Sequence, residues 1–162
     1  MIEDKARVPP GTRPLTLLYV EDDAANQKLV ELFIARRPDI HLLSAVNGKS
    51  GIEIAWVSRP DVIVMDINLP DISGFKALEM LRSDPTTAHI PVIALSANTQ
   101  PLNVESGLEA GFFRYLTKPI RSNEFMKTLD LALAYAQKQA ARRQQKNEAT
   151  IAEPKVVRAP GK

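Results

Sequence analysis

The chain has 162 residues, of which 44% are hydrophobic and 25% are charged, and this composition predicts one globular domain with a substantial core. The absence of cysteine excludes disulfide bridges, thiolate metal sites and cysteine nucleophiles. The first 14 residues contain charges and prolines but no apolar signal segment, and no run of about 18 apolar residues occurs anywhere. We therefore predict a cytoplasmic protein.

The net charge of +2 is unevenly distributed. Residues 137 to 162 contain seven Lys or Arg and two Glu, a net charge of +5, whereas residues 1 to 136 contain fourteen basic and seventeen acidic residues, a net charge of −3. Basic tails can bind phosphates, but no aromatic residue lies among these charges, and short solvated tails are more common than functional ones. We expect residues 138–162 to form a basic, disordered tail.

Short apolar runs alternate with amphipathic segments from residue 15 to 137, after a flexible leader of residues 1–14. The apolar runs are typical of strands buried in a parallel sheet, and the amphipathic segments have the apolar spacing of helices. The predicted strands are 15–20, 40–46, 62–66, 91–95 and 112–116, and the predicted helices are 24–37, 48–57 (with Trp56 facing inward), 73–82, 101–110 and 122–139. This order predicts one α/β domain, a doubly wound five-stranded parallel sheet with helices on both faces.

Polar residues follow four of the five predicted strands. The carboxyl ends of parallel strands meet at one edge of the sheet, where open α/β sheets bind their ligands. Crowded carboxylates there require a cation, and an all-oxygen ligand set suits Mg²⁺. A nucleophilic aspartate beside a metal, a hydroxyl and an ammonium group would form an acyl phosphate. The converging residues are Glu21 and Asp22 after the first strand, Asp66 after the third, Ser96 after the fourth and Lys118 after the fifth.

Four short motifs make the domain similar to a known family. They are Val20-Glu21-Asp22, Met65-Asp66-Ile67-Asn68-Leu69-Pro70 with Gly74, Ala94-Leu95-Ser96-Ala97, and Tyr115-Leu116-Thr117-Lys118-Pro119. Over residues 15–137 the chain resembles the response-regulator receiver domain of two-component signalling, which implies a flavodoxin-like fold. The resemblance implies a phosphoacceptor signalling module rather than an enzyme, with a histidine kinase or phosphotransfer protein as its donor.

The resemblance also implies a role for each site residue. Asp66 would accept the phosphoryl group, and Mg²⁺ would be bound by Asp22 and Asp66 directly, by the Asn68 backbone carbonyl, and by Glu21 through water. Asp23 is an additional acid, and which of the three consecutive acids reaches the metal depends on the register of the strand end.

Three further residues would act on the phosphoryl group and its signal. The resemblance implies that Ser96 and Lys118 bind the phosphoryl group and that Tyr115 is an aromatic switch. The Lys118–Pro119 peptide bond would be cis. The downstream protein target would bind the surface of the last two helices and the fifth strand, because the 25 or so polar residues after the domain provide no DNA-recognition helix.

Other readings of the sequence stay open. An aspartate-nucleophile phosphohydrolase shares this chemistry but uses a second carboxylate as a general acid. In this chain Asn68 occupies that position, and its amide cannot donate a proton as an acid. A receiver-like docking module that is never phosphorylated would have the same fold. Finally, the Asn47–Ser50 sequence is similar to the end of a P-loop, but the glycine that the motif needs five positions before Gly48 is Leu43.

Overall fold

A computed structural model describes residues 13–97 and 101–152, with side chains described for residues 13–97 and 105–149. Five parallel strands form one sheet in the order β2-β1-β3-β4-β5, which is the flavodoxin-like order. The predicted doubly wound α/β fold is therefore confirmed. The strands are β1 (Leu15–Val20), β2 (Ile40–Ala45), β3 (Val62–Asp66), β4 (Val92–Ser96) and β5 (Arg114–Thr117), and the helices are α1 (Ala24–Ala35), α2 (Gly48–Ser58), α3 (Gly74–Ser83), α4 (Pro101–Ala110) and α5 (Ser122–Ala152).

Successive side chains of a strand point to opposite faces of the sheet, and helices cover both faces. One face, which includes Val20 and Met65, packs against α2 and α3. The opposite face, which includes Tyr19 and Val64, packs against α1 and α5. All residues of β3 and β4 are buried, so the polar residues at their carboxyl ends stand at the edge of two apolar layers.

Apart from the end of α5, two element boundaries differ from the prediction by more than one residue. Helix α1 ends at Ala35 rather than at Arg37, because Arg37 precedes a proline and is therefore disfavoured from the helical region. Strand β5 begins at Arg114 rather than at residue 112. The Phe112 backbone N–H donates to the Gly107 carbonyl, 3.2 Å away, and this bond ends helix α4 instead of pairing with the sheet.

The prediction that Trp56 faces inward is wrong. Its side chain is 40% exposed, whereas Ile52 and Ala55 on the same helix are buried. Helix α2 approaches the sheet along Gly51, where an added Cβ would lie 2.8 Å from Val20 Cγ2. The buried face is centred on this close approach. Trp56 follows Ala55 and is therefore rotated about 100° from Ala55 around the helix, to the margin of the buried face.

Helix α5 continues to Ala152, past the predicted end at residue 139. The structure therefore differs from the predicted disorder over residues 138–152. These residues are mostly strong helix formers, and a helix that is already nucleated by docking needs only to propagate. Every side chain from 141 to 149 is exposed, as the lack of apolar area predicts.

The rest of the predicted tail (153–162) and residues 1–12 of the predicted leader lie outside the described residues. At the end of that leader, Arg13 pairs with Asp61, and the distance from Nη2 to Oδ1 is 3.0 Å. None of the described helices, α5 included, has the length and apolarity needed to cross a membrane.

Candidate functional site

Three acidic side chains gather at the carboxyl edge of the sheet. Glu21 and Asp22 directly follow β1, and Asp66 is the last residue of the neighbouring strand β3. Each offers a carboxylate oxygen, and these oxygens lie within 4.8 Å of one another. Glu21 is fully buried, Asp66 is 3% exposed, and Asp22 is open to solvent. The structure thus brings together the acids that the sequence predicted to converge.

Asp23 has a different position. Its Oδ1 accepts a hydrogen bond from the Asn26 backbone N–H at 2.9 Å, so Asp23 caps the N-terminus of α1. It does not belong to the group of acids whose oxygens converge. The question that the sequence left open, which of the three consecutive acids face the site, is answered by this cap: Glu21 and Asp22 do.

Two amides on the first turn of α1 hold Glu21 in place. Asn26 Nδ2 donates to Glu21 Oε1 at 2.7 Å, and Gln27 Nε2 donates to the backbone carbonyls of Glu21 and Ala45 at 2.8 and 3.0 Å. Sequence reasoning missed both. A signal was present, because Gln27 lies three and seven positions before the buried Val30 and Ile34, on the face that packs against the sheet.

Lys118 joins the two buried acids. Its Nζ lies 2.7 Å from Asp66 Oδ2 and 2.8 Å from Glu21 Oε1. Its backbone N–H donates to the Ser96 carbonyl at 2.7 Å, and the Lys118–Pro119 bond is cis, as predicted. Although burial disfavours its charge, the hydrogen bonds to Asp66 and Glu21 raise the pKa of Lys118 above its ordinary value. The ammonium therefore stays charged between the two carboxylates.

The two buried acids titrate in opposite directions. Burial, followed by the hydrogen bond to Asp66, raises the pKa of Glu21 from 4.5 to about 7. Burial acts in the same direction on Asp66, but hydrogen bonds to Glu21, Lys118 and the Asn68 backbone N–H outweigh it and lower the pKa of Asp66. Asp66 is thus the ionised partner, and in the absence of a cation Glu21 holds a proton below about pH 7.

The site has the donor set for a hard divalent cation. Within the described part of the chain, the buried Glu21 Oε2 has no hydrogen-bond partner, which leaves an acceptor that a proton or a cation would satisfy. The three convergent acids offer only oxygen ligands, which suit Mg²⁺. By this test the residues fit the predicted metal.

The loop after β3 is fixed at both of its ends. Asn68 N donates to Asp66 Oδ1 at 2.8 Å. Farther along the loop, the Asp71 carboxylate accepts hydrogen bonds from the backbone N–H groups of Gly48 and Lys49, both at 2.8 Å. The P-loop-like sequence therefore does bind an anion at the start of α2, and that anion is Asp71 of the same chain. Sequence reasoning missed Asp71.

Ser96 lies on β4, the strand next to that of Asp66, and Tyr115 lies on β5, one strand farther out. Ser96 is the last residue of β4, is 2% exposed, and pairs with Thr117 of β5. Tyr115 is partly buried and pairs with Ala94. Its ring packs against helix α4 at Gly107, where an added Cβ would lie 2.6 Å from Tyr115 Cδ2. The space that the ring occupies therefore depends on a glycine.

Residues 17–130 match the family model of the response regulator receiver domain. The chain belongs to this family. The polar-differentiation response regulator DivK of Brucella anthropi is 34% identical over 116 residues, which are 72% of this chain and 94% of DivK. Members of this receiver family act as phosphoacceptors in two-component signalling and are regulators rather than enzymes.

Two solved structures are informative neighbours of this receiver. The receiver domain of sensor histidine kinase PA1611 from Pseudomonas aeruginosa, with a magnesium ion coordinated in its active site cleft, is 30% identical, with a TM-score of 0.68 and coverage of 75% of this chain and 99% of that one. The co-crystal structure of the Saccharomyces cerevisiae histidine phosphotransfer protein Ypd1 and the receiver domain of Ssk1 contains a chain that is 27% identical, with a TM-score of 0.63 and coverage of 70% and 85%. Receivers thus bind Mg²⁺ at the acidic site and interact with histidine kinases or phosphotransfer proteins.

Proposed function

We propose that Asp66 is the residue that accepts the phosphoryl group. It is buried beside the acidic cluster, and the contact of its Oδ2 with Lys118 Nζ at 2.7 Å keeps it ionised. In the transfer, an Asp66 oxygen attacks the phosphorus of a phosphohistidine and the phosphorus–nitrogen bond breaks. The imidazole, protonated on its other nitrogen, leaves with the bonding electron pair as neutral histidine. The products are an acyl phosphate on Asp66 and the free histidine of the donor.

In this proposal Mg²⁺ is held by Asp22, Asp66 and the Asn68 carbonyl, with Glu21 contributing through water. When bound, the ion supplies positive charge that offsets the crowded carboxylates and the phosphoryl oxygens. Glu21 reaches the same pocket because Asn26 fixes one of its oxygens and leaves the other pointing without a protein partner among the described residues. The magnesium in the PA1611 receiver supports this assignment.

Lys118 and Ser96 are proposed to bind the oxygens of the transferred phosphoryl group. Lys118 already lies within hydrogen-bond distance of the Asp66 oxygen. Its backbone N–H donates to the Ser96 carbonyl, which ties the ends of β4 and β5 together at the edge of the sheet where Asp66 lies. The donor is a histidine kinase or phosphotransfer protein, and the family membership supports this class of partner.

We further propose that the signal is read on the surface formed by α4, β5 and α5, through Tyr115. Phosphorylation would draw the Ser96 hydroxyl toward Asp66 and so free space into which the Tyr115 ring could turn, away from Gly107. Exposed apolar side chains already lie on these two helices, which suits the binding of a downstream protein. They are Leu108 (46% exposed), Leu131 (47%) and Tyr135 (42%).

Mass spectrometry tests the assignment of Asp66. A small donor such as acetyl phosphate should add one phosphoryl mass to the wild-type protein with Mg²⁺ and none in the presence of chelator. Asp66→Asn should gain no mass under either condition, because an amide cannot form the acyl phosphate. The matched control is Asp61→Asn, which removes a carboxylate at the opposite edge of the sheet. Labelling of Asp66→Asn, or labelling that is insensitive to chelator, would contradict the proposal.

A further inference from the structure

A cavity lies at the edge of the sheet opposite Asp66. It has a volume of about 560 Å³ and is bounded by the segments that precede β1, β3 and β4 and by the extended part of α5. The length of β3 places it roughly 13 Å from the acidic cluster. This is within the size range of pockets that hold small organic ligands.

The charges that line this cavity are mainly positive. Arg13, Arg59 and Arg143 line it, against a single carboxylate, that of Asp61. Asp61 is already satisfied, because it accepts hydrogen bonds from Arg13 at 3.0 Å and from the Thr16 backbone N–H at 2.7 Å. The remaining arginines leave an excess of positive charge among the described residues of the lining.

The two remaining arginines come from opposite walls. Arg59 follows α2, and Arg143 lies on the exposed extension of α5. Arg59 has φ 46° and ψ 65°, the left-handed conformation that costs a side-chain-bearing residue free energy and that glycine adopts without strain. This conformation caps α2, because the Arg59 backbone N–H donates to the Ala55 carbonyl at 2.9 Å, and the same residue lines the cavity.

A histidine between these walls senses the same positive field. His89 lines the cavity, and burial, followed by the nearby charge of Arg143 and then that of Arg82, lowers its pKa. Ala136 and Ala140 of α5, which are partly exposed and exposed, add apolar surface to the lining. The cavity thus combines guanidinium groups, which bind phosphate in a bidentate manner, with an apolar surface.

We propose that this cavity binds a small organic phosphate, a phosphate group on an apolar or planar carrier, between Arg59 and Arg143. The two guanidinium groups would bind the phosphate oxygens, and the carrier would lie against Ala136 and Ala140. The site is separate from Asp66, and its occupancy does not require phosphorylation. It goes beyond the proposed function, which uses only the carboxyl edge of the sheet.

The experiment follows the two histidines of the chain by NMR in the presence of chelator. Chelator prevents a metal from recruiting phosphate to the acidic site. Adenosine 5′-monophosphate is the probe, and its two parts, inorganic phosphate and adenosine, are tested separately. We expect a saturable change in the His89 ring resonances and an upward shift of its titration midpoint, because a bound dianion favours the imidazolium. His41, an exposed residue on β2, is the internal control and should not respond.

The arginines are tested one at a time. Arg59→Gly relieves the strained backbone and Arg143→Gln changes an exposed helix residue, so both should fold, and thermal melts confirm this. Each should weaken binding roughly tenfold, since a charge-assisted contact is worth about that factor. The matched control is Arg142→Gln, next to Arg143 on the same helix but outside the cavity lining, and it should bind as wild type. Asp66→Asn should also bind as wild type.

Three results would overturn the proposal. One is the absence of a saturable His89 response at millimolar probe. Another is equal binding by wild type and the Arg59→Gly and Arg143→Gln variants. The third is tighter binding of single-stranded oligonucleotides as their length increases, with the same dependence on arginine, which would assign the surface to nucleic acid instead. Loss of phosphorylation at Asp66 would contradict the proposed function but would leave this cavity unaffected.

Discussion

The buried Glu21 should make the free energy of unfolding of the metal-free protein fall as pH rises toward 8. Its pKa is 4.5 when exposed and about 7 in the folded protein. The folded state therefore holds this proton more tightly than the unfolded chain does. The stabilisation is fully present below pH 4.5 and is lost as pH rises through 7.

The size of the effect follows from the difference of about 2.5 pH units between the two pKa values. At 1.36 kcal/mol per unit, the free energy of unfolding should fall by about 3 kcal/mol between pH 4.5 and pH 8. Asp66 does not contribute in this window, because its pKa is lowered and its stabilisation is lost only as pH falls below the ordinary carboxyl range. His89 has the opposite effect, because its lowered pKa makes stability rise as pH increases toward 6.5.

The assay is urea unfolding in chelator at about pH 5 and pH 8, in a His89→Gln background that removes the opposing titration. Between these two pH values we expect the background protein to lose about 2.5 kcal/mol and its Glu21→Gln derivative to lose almost none, because an amide imitates the protonated acid at every pH. Adding Mg²⁺ at pH 8 should restore stability to the protein with Glu21, since a cation bound to the folded state replaces the proton.

The matched control is Glu31→Gln in the same background, which changes an exposed acid on α1. It should keep the full pH dependence. If Glu21→Gln and Glu31→Gln lose the same free energy between the two pH values, the buried proton is not located on Glu21 and the electrostatic reasoning fails.

The remaining predictions concern the metal, the switch and the tail. Asp22→Ala should abolish Mg²⁺ binding in calorimetry, whereas Asp23→Ala should retain it and lose about 1 kcal/mol of stability as a helix cap; equal losses of Mg²⁺ affinity would show that Asp23 also holds the metal. Gly107→Ala should displace the Tyr115 ring, seen as altered ring proton shifts, because the new Cβ would overlap Cδ2; unchanged shifts would refute the packing argument. Deleting residues 140–162 should leave the melting temperature and phosphoryl uptake nearly unchanged, because residues 141–149 bury nothing, and a large drop in either would show that the extension packs on the domain.

The fold and the convergence of acids could be predicted because both depend on short, local patterns. Five apolar runs define a parallel sheet, and the polar residues that follow four of them define its ligand edge. The strand register then brings Glu21 and Asp66 together. The contacts of Asn26, Gln27 and Asp71 could not be found in this way. Apolar spacing can mark Gln27 as buried, but no period in the sequence reports which group an amide or a carboxylate binds, and the partners of Gln27 and Asp71 at Ala45 and Gly48 are 18 and 23 residues away.

The edge of the buried face of α2 and the end of α5 could not be predicted from the sequence either. Trp56 looked like a core residue by type and spacing, but the close approach of Gly51 to Val20 rotates the buried face of α2 away from it. The length of α5 was missed for a different reason. Apolar spacing reports where a helix is packed, and α5 continues beyond its packed part on propensity alone.

The contacts of Lys118 limit how strongly phosphorylation can drive a switch. Before any transfer, its ammonium group already contacts Asp66 and Glu21 at 2.7 and 2.8 Å. A phosphoryl group would therefore replace existing contacts of Lys118 rather than provide its first ion pair. A bond from Ser96 to a charged oxygen would contribute at most about 1.5 to 3 kcal/mol. Moving a two-state equilibrium from 1:99 to 99:1 takes about 5.5 kcal/mol, so in the proposed mechanism phosphorylation alone would shift Tyr115 only part of the way. A partner that binds the shifted form must contribute the remainder, and by reciprocity that partner stabilises the form in which Asp66 is phosphorylated.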